Sequence, residues 1–313
     1  MTQRLVYLNG EFVVESEARI SVFDSALNFG DMVFESVRTF GHVPFRLGEH
    51  VERLADSLRL LQIDCGLSPT QIEDLLLQTL ERNAPSQESD VDWQIVVNIS
   101  RGPLPAYRAA FPAGAGPTVC IYCWPLIPQL GRFAPNYDTG VDLVFSSQPS
   151  VPAHIVDPRA KTRSRVQYRL ALLAAQQSGK PVWPVLFDPD GYLAEGPGWN
   201  VFLVHDGIIR TPEARNILPG ISRAITIDLA GDLDLEVHEC DLRQQDALEA
   251  DEIFCTATSF CIVHAASIEG QTISEAGAGP IVQKLHTAWQ KTVGLDFVAQ
   301  ARSYAERLAE WEQ

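Results

Sequence analysis

Basic residues are scarce in this chain of 313 residues. Lysine and arginine together number 24 against 40 aspartates and glutamates, which leaves a formal net charge of −16 at pH 7. A chain this acidic repels the phosphates of nucleic acids and the anionic headgroups of membranes. We therefore expect neither a nucleic acid nor a membrane surface as its partner.

Long apolar runs and patterned cysteines are lacking as well. The uncharged stretch 109–131 is interrupted by four prolines, which argues against a continuous membrane-spanning helix. The first twelve residues contain no basic segment followed by an apolar run, so they do not resemble a secretory signal. The six cysteines and seven histidines show neither disulfide nor metal-ligand spacing. The sequence thus predicts a cytoplasmic protein with reduced thiols and no metal site.

Lysine is the rarest basic residue, because 20 of the 24 are arginines and the remaining four are Lys161, Lys180, Lys284 and Lys291. Lys161 opens a segment, 162–178, that is predicted to be helical. Neighbouring arginines at positions 163 and 165, together with a positive helix end, would disfavour a charged amine at Lys161 and leave it nucleophilic. An ordinary surface lysine explains the same residues equally well.

The spacing of apolar residues predicts an α+β chain of two domains. A hairpin turn at Asn9-Gly10 and alternating strand-like and helical segments extend to residue 126. The segment 127–139 is rich in proline and glycine and lacks periodicity, which is typical of an interdomain linker. We therefore predict a smaller N-terminal domain over 1–126, a linker over 127–139 and a larger C-terminal domain over 140–313.

The run Leu218-Pro219-Gly220-Ile221-Ser222-Arg223 leads into a predicted helix. The backbone N–H groups of Ile221 and Ser222 would point outward from the positive end of that helix, where a phosphate binds well. A glycine turn with a serine cap explains the same residues. Because the run also approximates the nucleophile elbow of serine hydrolases, a hydrolase that uses Ser222, with His238 or His264 as base, is a distant alternative.

Three further segments contain candidate site residues. Arg53 on a predicted amphipathic helix and the hydroxyl cluster at 256–259 are candidates for binding the same phosphate, although a solvated helix face and a plain turn explain them too. Glu195 precedes a glycine-rich turn that ends at Asn200. If the carboxylate of Glu195 is buried, it needs a cationic partner.

Taken together, these segments resemble the fold-type IV, or class IV, pyridoxal-phosphate enzymes, which include branched-chain aminotransferases, D-amino-acid aminotransferases and aminodeoxychorismate lyases. Four separated blocks match in the family's order, namely 28–54, Lys161, 195–202, and 218–223 with 250–259. The resemblance implies a two-domain fold with the cofactor site between the domains. It also implies a homodimer with active sites near the interface, where Phe29 and 101–108 would reach the neighbouring site.

The resemblance further implies a transfer of an amino group between an amino acid, or a primary amine, and a 2-oxo acid. Lys161 would form a Schiff base with pyridoxal 5'-phosphate and act as general base, and Glu195 would pair with the pyridine nitrogen. The other implied cofactor contacts are Arg53, Asn200, Ile221, Ser222 and Thr258, and the implied substrate contacts are Phe29, Arg38, Arg108, Thr258 and Ser259. An aminodeoxychorismate lyase-like enzyme would use the same cofactor residues and is the alternative.

The chain departs from the family in two places that bear on the substrate. Branched-chain enzymes have a tyrosine five residues after the Schiff-base lysine, where this chain has Val166, and the nearest tyrosine is Tyr168. His154 and Arg163 are therefore candidates for contacting the phenolic oxygen of the cofactor. The Arg-x-His carboxylate motif of D-amino-acid aminotransferases is not reproduced, which makes Arg108 a candidate carboxylate contact. The sequence leaves the donor and its chirality open.

Overall fold

The chain divides into two compact units. A computed structural model describes residues 3–86, 90–110, 116–177, 179–274 and 277–311. The first unit comprises Met1–Leu126 together with Ala160–Ser164, and the second comprises Ile127–Arg159 together with Arg165–Gln313. None of the helices in the described ranges combines the length and the hydropathy that crossing a membrane requires.

The first unit is built on an antiparallel sheet of six strands. In chain order they are β1 (Leu5–Leu8), β2 (Glu11–Val14), β3 (Met32–Phe40), β4 (Val43–Pro44), β5 (Trp93–Ser100) and β6 (Thr118–Pro125). Their spatial order is β2-β1-β6-β5-β3-β4. The helices of this unit are α1 (Ser25–Phe29), α2 (Leu47–Leu60) and α3 (Pro69–Asn83).

One face of this sheet is covered by α2 and α3. Apolar residues of α2 at helical spacing, Val51, Leu54 and Leu58, are buried in the same cluster as Val33 and Val37 of β3, as the sequence pattern predicts. The hydroxyl of Ser68 accepts a hydrogen bond from the N–H of Gln71 at the start of α3, completing a capping box. This packing holds β3 and α2 against each other, and both carry candidate site residues.

The second unit is built on a mixed sheet of nine strands. Its strands are β7 (Val141–Phe145), β8 (Val182–Val185), β9 (Glu195–Gly196), β10 (Trp199–His205), β11 (Ile208–Pro212), β12 (Val237–Cys240), β13 (Glu252–Ala257), β14 (Cys261–Ile268) and β15 (Gln271–Thr272). The main path is β12-β11-β10-β13-β14-β7-β8, with β9 paired to β10 and β15 paired to β14. The helices are α4 (Ile127–Phe133), α5 (Asn136–Thr139), α6 (Val166–Gln176), α7 (Ile221–Asp232), α8 (Gln244–Leu248), α9 (Pro280–Val293) and α10 (Phe297–Trp311).

The segment predicted to be a linker is helical and belongs to the second unit. Residues 127–139 form α4 and α5, and a side chain at Gly131 would come within 2.8 Å of the backbone oxygen of Tyr304 on α10. Gly131 therefore allows α4 and α10 to pack closely. Proline and glycine are helix breakers by propensity, but here tertiary packing against α10 outweighs that propensity.

Candidate active site

Lys161 lies in an extended segment that belongs to the first unit. Its carbonyl oxygen accepts a hydrogen bond from the N–H of Phe34 at 2.9 Å, and the N–H of Arg163 donates to the carbonyl of Met32 at 2.8 Å. The N–H of Lys161 donates to Oγ of Ser57 on α2 at 3.0 Å. The backbone around Lys161 is thereby bound to both β3 and α2.

This position corrects the prediction of a helix over 162–178. Helix α6 begins only at Val166, and Thr162 instead pairs with Val33 as an isolated β-bridge. The pairing of β3 with β4 is limited to Thr39 and Phe40, so the edge of β3 near Val33 offers backbone groups that residues 161–163 can pair with. Lys161 therefore does not lie at the positive N-terminal end of a helix.

The side chain of Lys161 lies against an aromatic ring. Its Nζ is 4.9 Å from the ring centroid of Phe34, and the guanidinium carbon of Arg163 is 3.6 Å from the same centroid. Nε of Arg163 donates to Oδ1 of Asn98 at 2.7 Å. Lys161 is partly buried, which distinguishes it from the ordinary surface lysine that the sequence left as an alternative.

Arg53 binds a buried carboxylate of its own unit. Its Nε and Nη2 donate to the two oxygens of Glu35 at 2.8 and 2.9 Å, and Nδ1 of His50 lies 3.2 Å from the same carboxylate. Burial by itself raises the pKa of Glu35, but the charge of Arg53, followed by that of His50, outweighs burial and holds this pKa well below its ordinary value. The ionised Glu35 thus orients Arg53, whose contact with a phosphate stays a prediction.

In the second unit, Glu195 is buried and hydrogen-bonded by neutral donors. The hydroxyl of Tyr168 donates to Oε1 at 2.5 Å, while Nδ2 of Asn200 and the N–H of Leu218 each donate to Oε2 at 3.1 Å. The antiparallel register of β9 and β10 places Asn200 opposite Glu195. These three neutral donors hold both oxygens of the carboxylate in place, and a cationic partner for Glu195 stays a prediction.

Helix α7 begins with backbone N–H groups that no side chain caps. Gly220 precedes its first residue and provides no capping side chain, so the N–H groups of Ile221 and Ser222 in the first turn have no intrahelical acceptor. A Cβ at Gly220 would lie 2.2 Å from Oδ1 of Asn200. Such an uncapped helix end binds anions, and glycine is required here for close packing against Asn200.

Asn200 links this helix end to Glu195. Its Nδ2 donates both to Oε2 of Glu195 and to the carbonyl oxygen of Leu218, each at 3.1 Å. Leu218 in turn donates its N–H to Glu195. The carboxylate and the loop that opens α7 are therefore held as one hydrogen-bonded group.

Thr258 and Ser259 lie in the turn between β13 and β14, and both are partly buried. The neighbouring Thr256 is fully buried, and its hydroxyl has no hydrogen-bond partner in the part of the chain that the structure describes. Ile221, Ser222 and Thr258 thus belong to the second unit, whereas the fourth predicted phosphate contact, Arg53, belongs to the first.

The predicted substrate contacts of the first unit have contrasting environments. Phe29 ends α1 with 67% of its surface exposed, whereas Arg38 is 1% exposed and its guanidinium carbon lies 4.2 Å from the ring centroid of Phe40. Arg101 donates to Asp31 and to the carbonyls of residues 61 and 62. The side chain of Arg108 lies outside the described residues. The substrate roles of these residues stay predictions.

Ser222 does not have the setting of a hydrolase nucleophile. The preceding strand, β11, ends at Pro212, well before the turn at Gly220, whereas a nucleophile elbow requires a strand immediately before its turn. His238 is exposed and paired with Glu236. Both ring nitrogens of His264 are buried and lack a partner among the described residues. The serine hydrolase alternative therefore has no geometric support.

Two contacts of the candidate site were not predicted from the sequence. The pair of Tyr168 with Glu195 was not predicted, because the sequence identifies Tyr168 only as the tyrosine nearest to the position that the family uses. The pair of Glu35 with Arg53 could have been predicted, since Glu35 stands among the apolar residues of β3 and a buried acid needs a partner.

Of the two candidates for the phenolic oxygen, His154 and Arg163, His154 is exposed. No group of three or more residues suited to bind a metal occurs within the described ranges.

Comparison with known proteins identifies the family. Residues 32–268 match the model of the class IV amino-transferases. A Methanocaldococcus jannaschii protein provisionally named as a branched-chain-amino-acid aminotransferase is 35% identical over 282 residues, which cover 90% of this chain and 93% of the relative. The branched-chain-amino-acid aminotransferase of Escherichia coli K12 is 29% identical over 291 residues, covering 91% of each protein.

A solved structure gives the same result. The T.th. branched-chain amino acid aminotransferase, crystallised with pyridoxamine 5'-phosphate, superposes with a TM-score of 0.80 at 28% identity, covering 94% of this chain and 95% of that one. The predicted family and fold class are thereby confirmed. The chain belongs to the class IV aminotransferase family and is an aminotransferase of fold type IV.

Proposed function

We propose that this enzyme uses pyridoxal 5'-phosphate to exchange an amino group between an amino acid and a 2-oxo acid. The observation that carries the proposal is the link between Glu195 and the uncapped start of α7 through Asn200 and Leu218. A carboxylate suits a protonated ring nitrogen and an uncapped helix end suits a phosphate, and the two groups occur together in pyridoxal 5'-phosphate. The T.th. relative was also crystallised with N-(5'-phosphopyridoxyl)-L-glutamate, which supports the same cofactor.

The residues present fit this cofactor. The glycine at position 220 keeps the start of α7 clear of side-chain caps, and the N–H groups of Ile221 and Ser222 with the hydroxyl of Thr258 would hold the phosphate. Arg53, oriented by Glu35, would add a positive charge to that site. Lys161 would hold the aldehyde carbon as a Schiff base. Bound in this way, the cofactor supplies an electron sink for the charge left on the substrate Cα.

Two residues of the chain would then act on the two protons of the reaction, the one on the ring nitrogen and the one on the substrate Cα. Glu195 would place a negative charge beside the ring nitrogen and so favour the protonated form of that nitrogen. The amine of Lys161 would be the base that takes the proton from the substrate Cα. The ring of Phe34 lies beside this amine, with its centroid 4.9 Å from Nζ, and would limit the access of water to it.

The relatives suggest which donor to test first. Because they are named branched-chain-amino-acid aminotransferases, we propose an aliphatic branched-chain amino acid as the first candidate donor and a 2-oxo acid as acceptor. The exchange of the family's tyrosine for Val166 removes a hydroxyl that branched-chain enzymes use, so D-amino acids and primary amines belong in the same panel.

We also propose that the enzyme acts as a homodimer with its active sites near the interface. In the first unit, Val22, Leu27 and Phe29 are exposed, and in the second unit, Val166 and Leu170 are exposed along α6. Val166 and Leu170 are four residues apart on α6 and so share a face, and exposed apolar side chains that share a face are typical of surfaces that bind another protein. Sedimentation should therefore report twice the monomer mass, and a monomer would contradict this part of the proposal.

The proposed reaction is tested with purified protein and pyridoxal 5'-phosphate. The complex should absorb in the visible range, lose that absorption when a donor amino acid is added, and regain it with a 2-oxo acid. Lys161→Ala should abolish the exchange, whereas Lys284→Ala, a change of another lysine on α9, should leave it intact. Protein that takes up no cofactor contradicts the proposal, and release of pyruvate without any 2-oxo acid acceptor would favour a lyase instead.

A further inference from the structure

Tyr168 is bound to the carboxylate that is proposed to face the cofactor. Its hydroxyl donates to Oε1 of Glu195 at 2.5 Å, and the guanidinium carbon of Arg165 lies 4.7 Å from its ring centroid. Burial, followed by the negative charge of Glu195, raises the pKa of Tyr168 well above its ordinary value. The phenol therefore stays protonated at neutral pH and acts as a hydrogen-bond donor.

This contact determines what Tyr168 can do. A phenol has a single hydrogen to donate, and that hydrogen is directed to Glu195. Tyr168 is thus a partner of the carboxylate and not a donor to the phenolic oxygen of the cofactor. Its position in the first turn of α6 means that a helix, rather than a loop, holds the hydroxyl at Glu195.

The two oxygens of Glu195 are held from different elements. Oε1 accepts from Tyr168 on α6, and Oε2 accepts from Asn200 on β10 and from the N–H of Leu218 before α7. Removing the phenol would remove its hydrogen bond to Oε1 and leave the bonds of Asn200 and Leu218 to Oε2 in place. The carboxylate would then lose part of its orientation and part of the hydrogen bonding that stabilises its anionic form.

We infer that Tyr168 is a positioning residue that keeps Glu195 ionised and oriented toward the ring nitrogen of the cofactor. This inference rests on the proposed function. A carboxylate that accepts fewer hydrogen bonds holds a proton more strongly, so without the phenol the proton shared with the ring nitrogen moves toward Glu195. The ring nitrogen then carries less positive charge, and the cofactor is bound less tightly.

The test compares two tyrosine variants of the same unit. Tyr168→Phe removes only the hydroxyl and keeps the ring beside Arg165. Tyr137→Phe is the matched control, because its buried hydroxyl donates to the backbone oxygen of Phe260 at 2.8 Å, and neither residue is among those proposed to hold the cofactor. Each protein is loaded with pyridoxal 5'-phosphate labelled with ¹⁵N in the ring, and the ¹⁵N chemical shift and the dissociation constant of the cofactor are measured.

For Tyr168→Phe we expect the ring nitrogen resonance to move toward that of an unprotonated pyridine. We also expect the dissociation constant to rise about tenfold, the effect of losing one hydrogen bond to a charged group. Tyr137→Phe should match the wild type in both measurements. An unchanged resonance and an unchanged dissociation constant in Tyr168→Phe would overturn the inference and leave the proposed function standing, whereas wild-type protein that binds no cofactor would overturn both.

A second variant covers the case in which Tyr168→Phe does not fold. Incorporation of 3-fluorotyrosine in place of Tyr168 keeps the shape of the side chain and makes its phenol a stronger donor. The ring nitrogen resonance should then move in the opposite direction, toward a fully protonated pyridinium. A resonance that stays at the wild-type position, or moves toward the unprotonated form, would refute the role of Tyr168.

Discussion

Two glycines at opposite ends of α7 provide a matched test of how the site is held together. Gly220 precedes the helix, and a Cβ there would lie 2.2 Å from Oδ1 of Asn200. Gly231 lies near the other end of α7, and a Cβ there would meet no atom within 4 Å. Neither residue has a positive φ, so alanine is free of backbone strain at both positions. The two substitutions therefore differ mainly in the steric clash.

The structure predicts effects of opposite sign. Alanine at position 220 forces Asn200 or the loop at Leu218 to move, and overpacking of this kind costs about 1–3 kcal/mol. Displacing Asn200 also weakens its bonds to Glu195 and Leu218, so we expect the dissociation constant of pyridoxal 5'-phosphate to rise about tenfold or more. Gly231→Ala should instead stabilise the protein by about 0.5–1 kcal/mol, since alanine is the better helix former.

Both quantities are measurable on purified wild-type and variant proteins. Urea unfolding gives the change in stability from the shift in midpoint at unchanged slope, and titration of cofactor-free protein gives the dissociation constant. Gly231→Ala should bind the cofactor as the wild type does. The reasoning would be refuted if Gly220→Ala bound the cofactor with wild-type affinity and unfolded at the wild-type urea concentration.

Two further predictions concern buried ionisable side chains. Glu35→Gln should lower the free energy of unfolding by about 3 kcal/mol, because it leaves the guanidinium of Arg53 without its carboxylate partner; a urea midpoint equal to that of wild type would contradict this. His286, with its pKa lowered by burial to about 4, and His264, with its pKa also lowered by burial, are neutral when folded. The free energy of unfolding should therefore be highest above the ordinary histidine pKa of 6.5 and decrease as the pH falls below that value, by up to about 1.4 kcal/mol per pH unit for His286. Urea midpoints measured from about pH 8 to about pH 5 check this, and His286→Gln should reduce the slope.

The features that could be predicted from the sequence depend on residues that are close together along the chain. The start of α7 was predicted because proline, glycine and serine in succession favour a turn followed by a helix. The hairpin at Asn9-Gly10 was predicted because that dipeptide accommodates positive φ. The membership of a class IV family was predicted from blocks whose order along the chain is visible without any structure.

The errors arose where distant residues decide the local structure. Residues 162–165 have the composition of a helix start, but Thr162 and Arg163 pair with the edge of β3 instead. Residues 127–139 have the composition of a linker, but α4 has buried apolar residues at positions 127 and 130 and packs against α10. In both cases tertiary contacts outweigh the propensity of a short segment, which amounts to about 1 kcal/mol or less per residue.

The amino-acid sequence by itself determined the family of this protein, its mixed α and β architecture and which lysine and carboxylate to examine, because these follow from residue types at short and regular spacing. Only the tertiary structure decided the partners of those groups. Arg53 meets Glu35 across 18 residues and Tyr168 meets Glu195 across 27. A hydrogen bond depends on the positions of two atoms to within a few tenths of an ångström, and those positions are set by the packing of helices on sheets, not by distance along the chain.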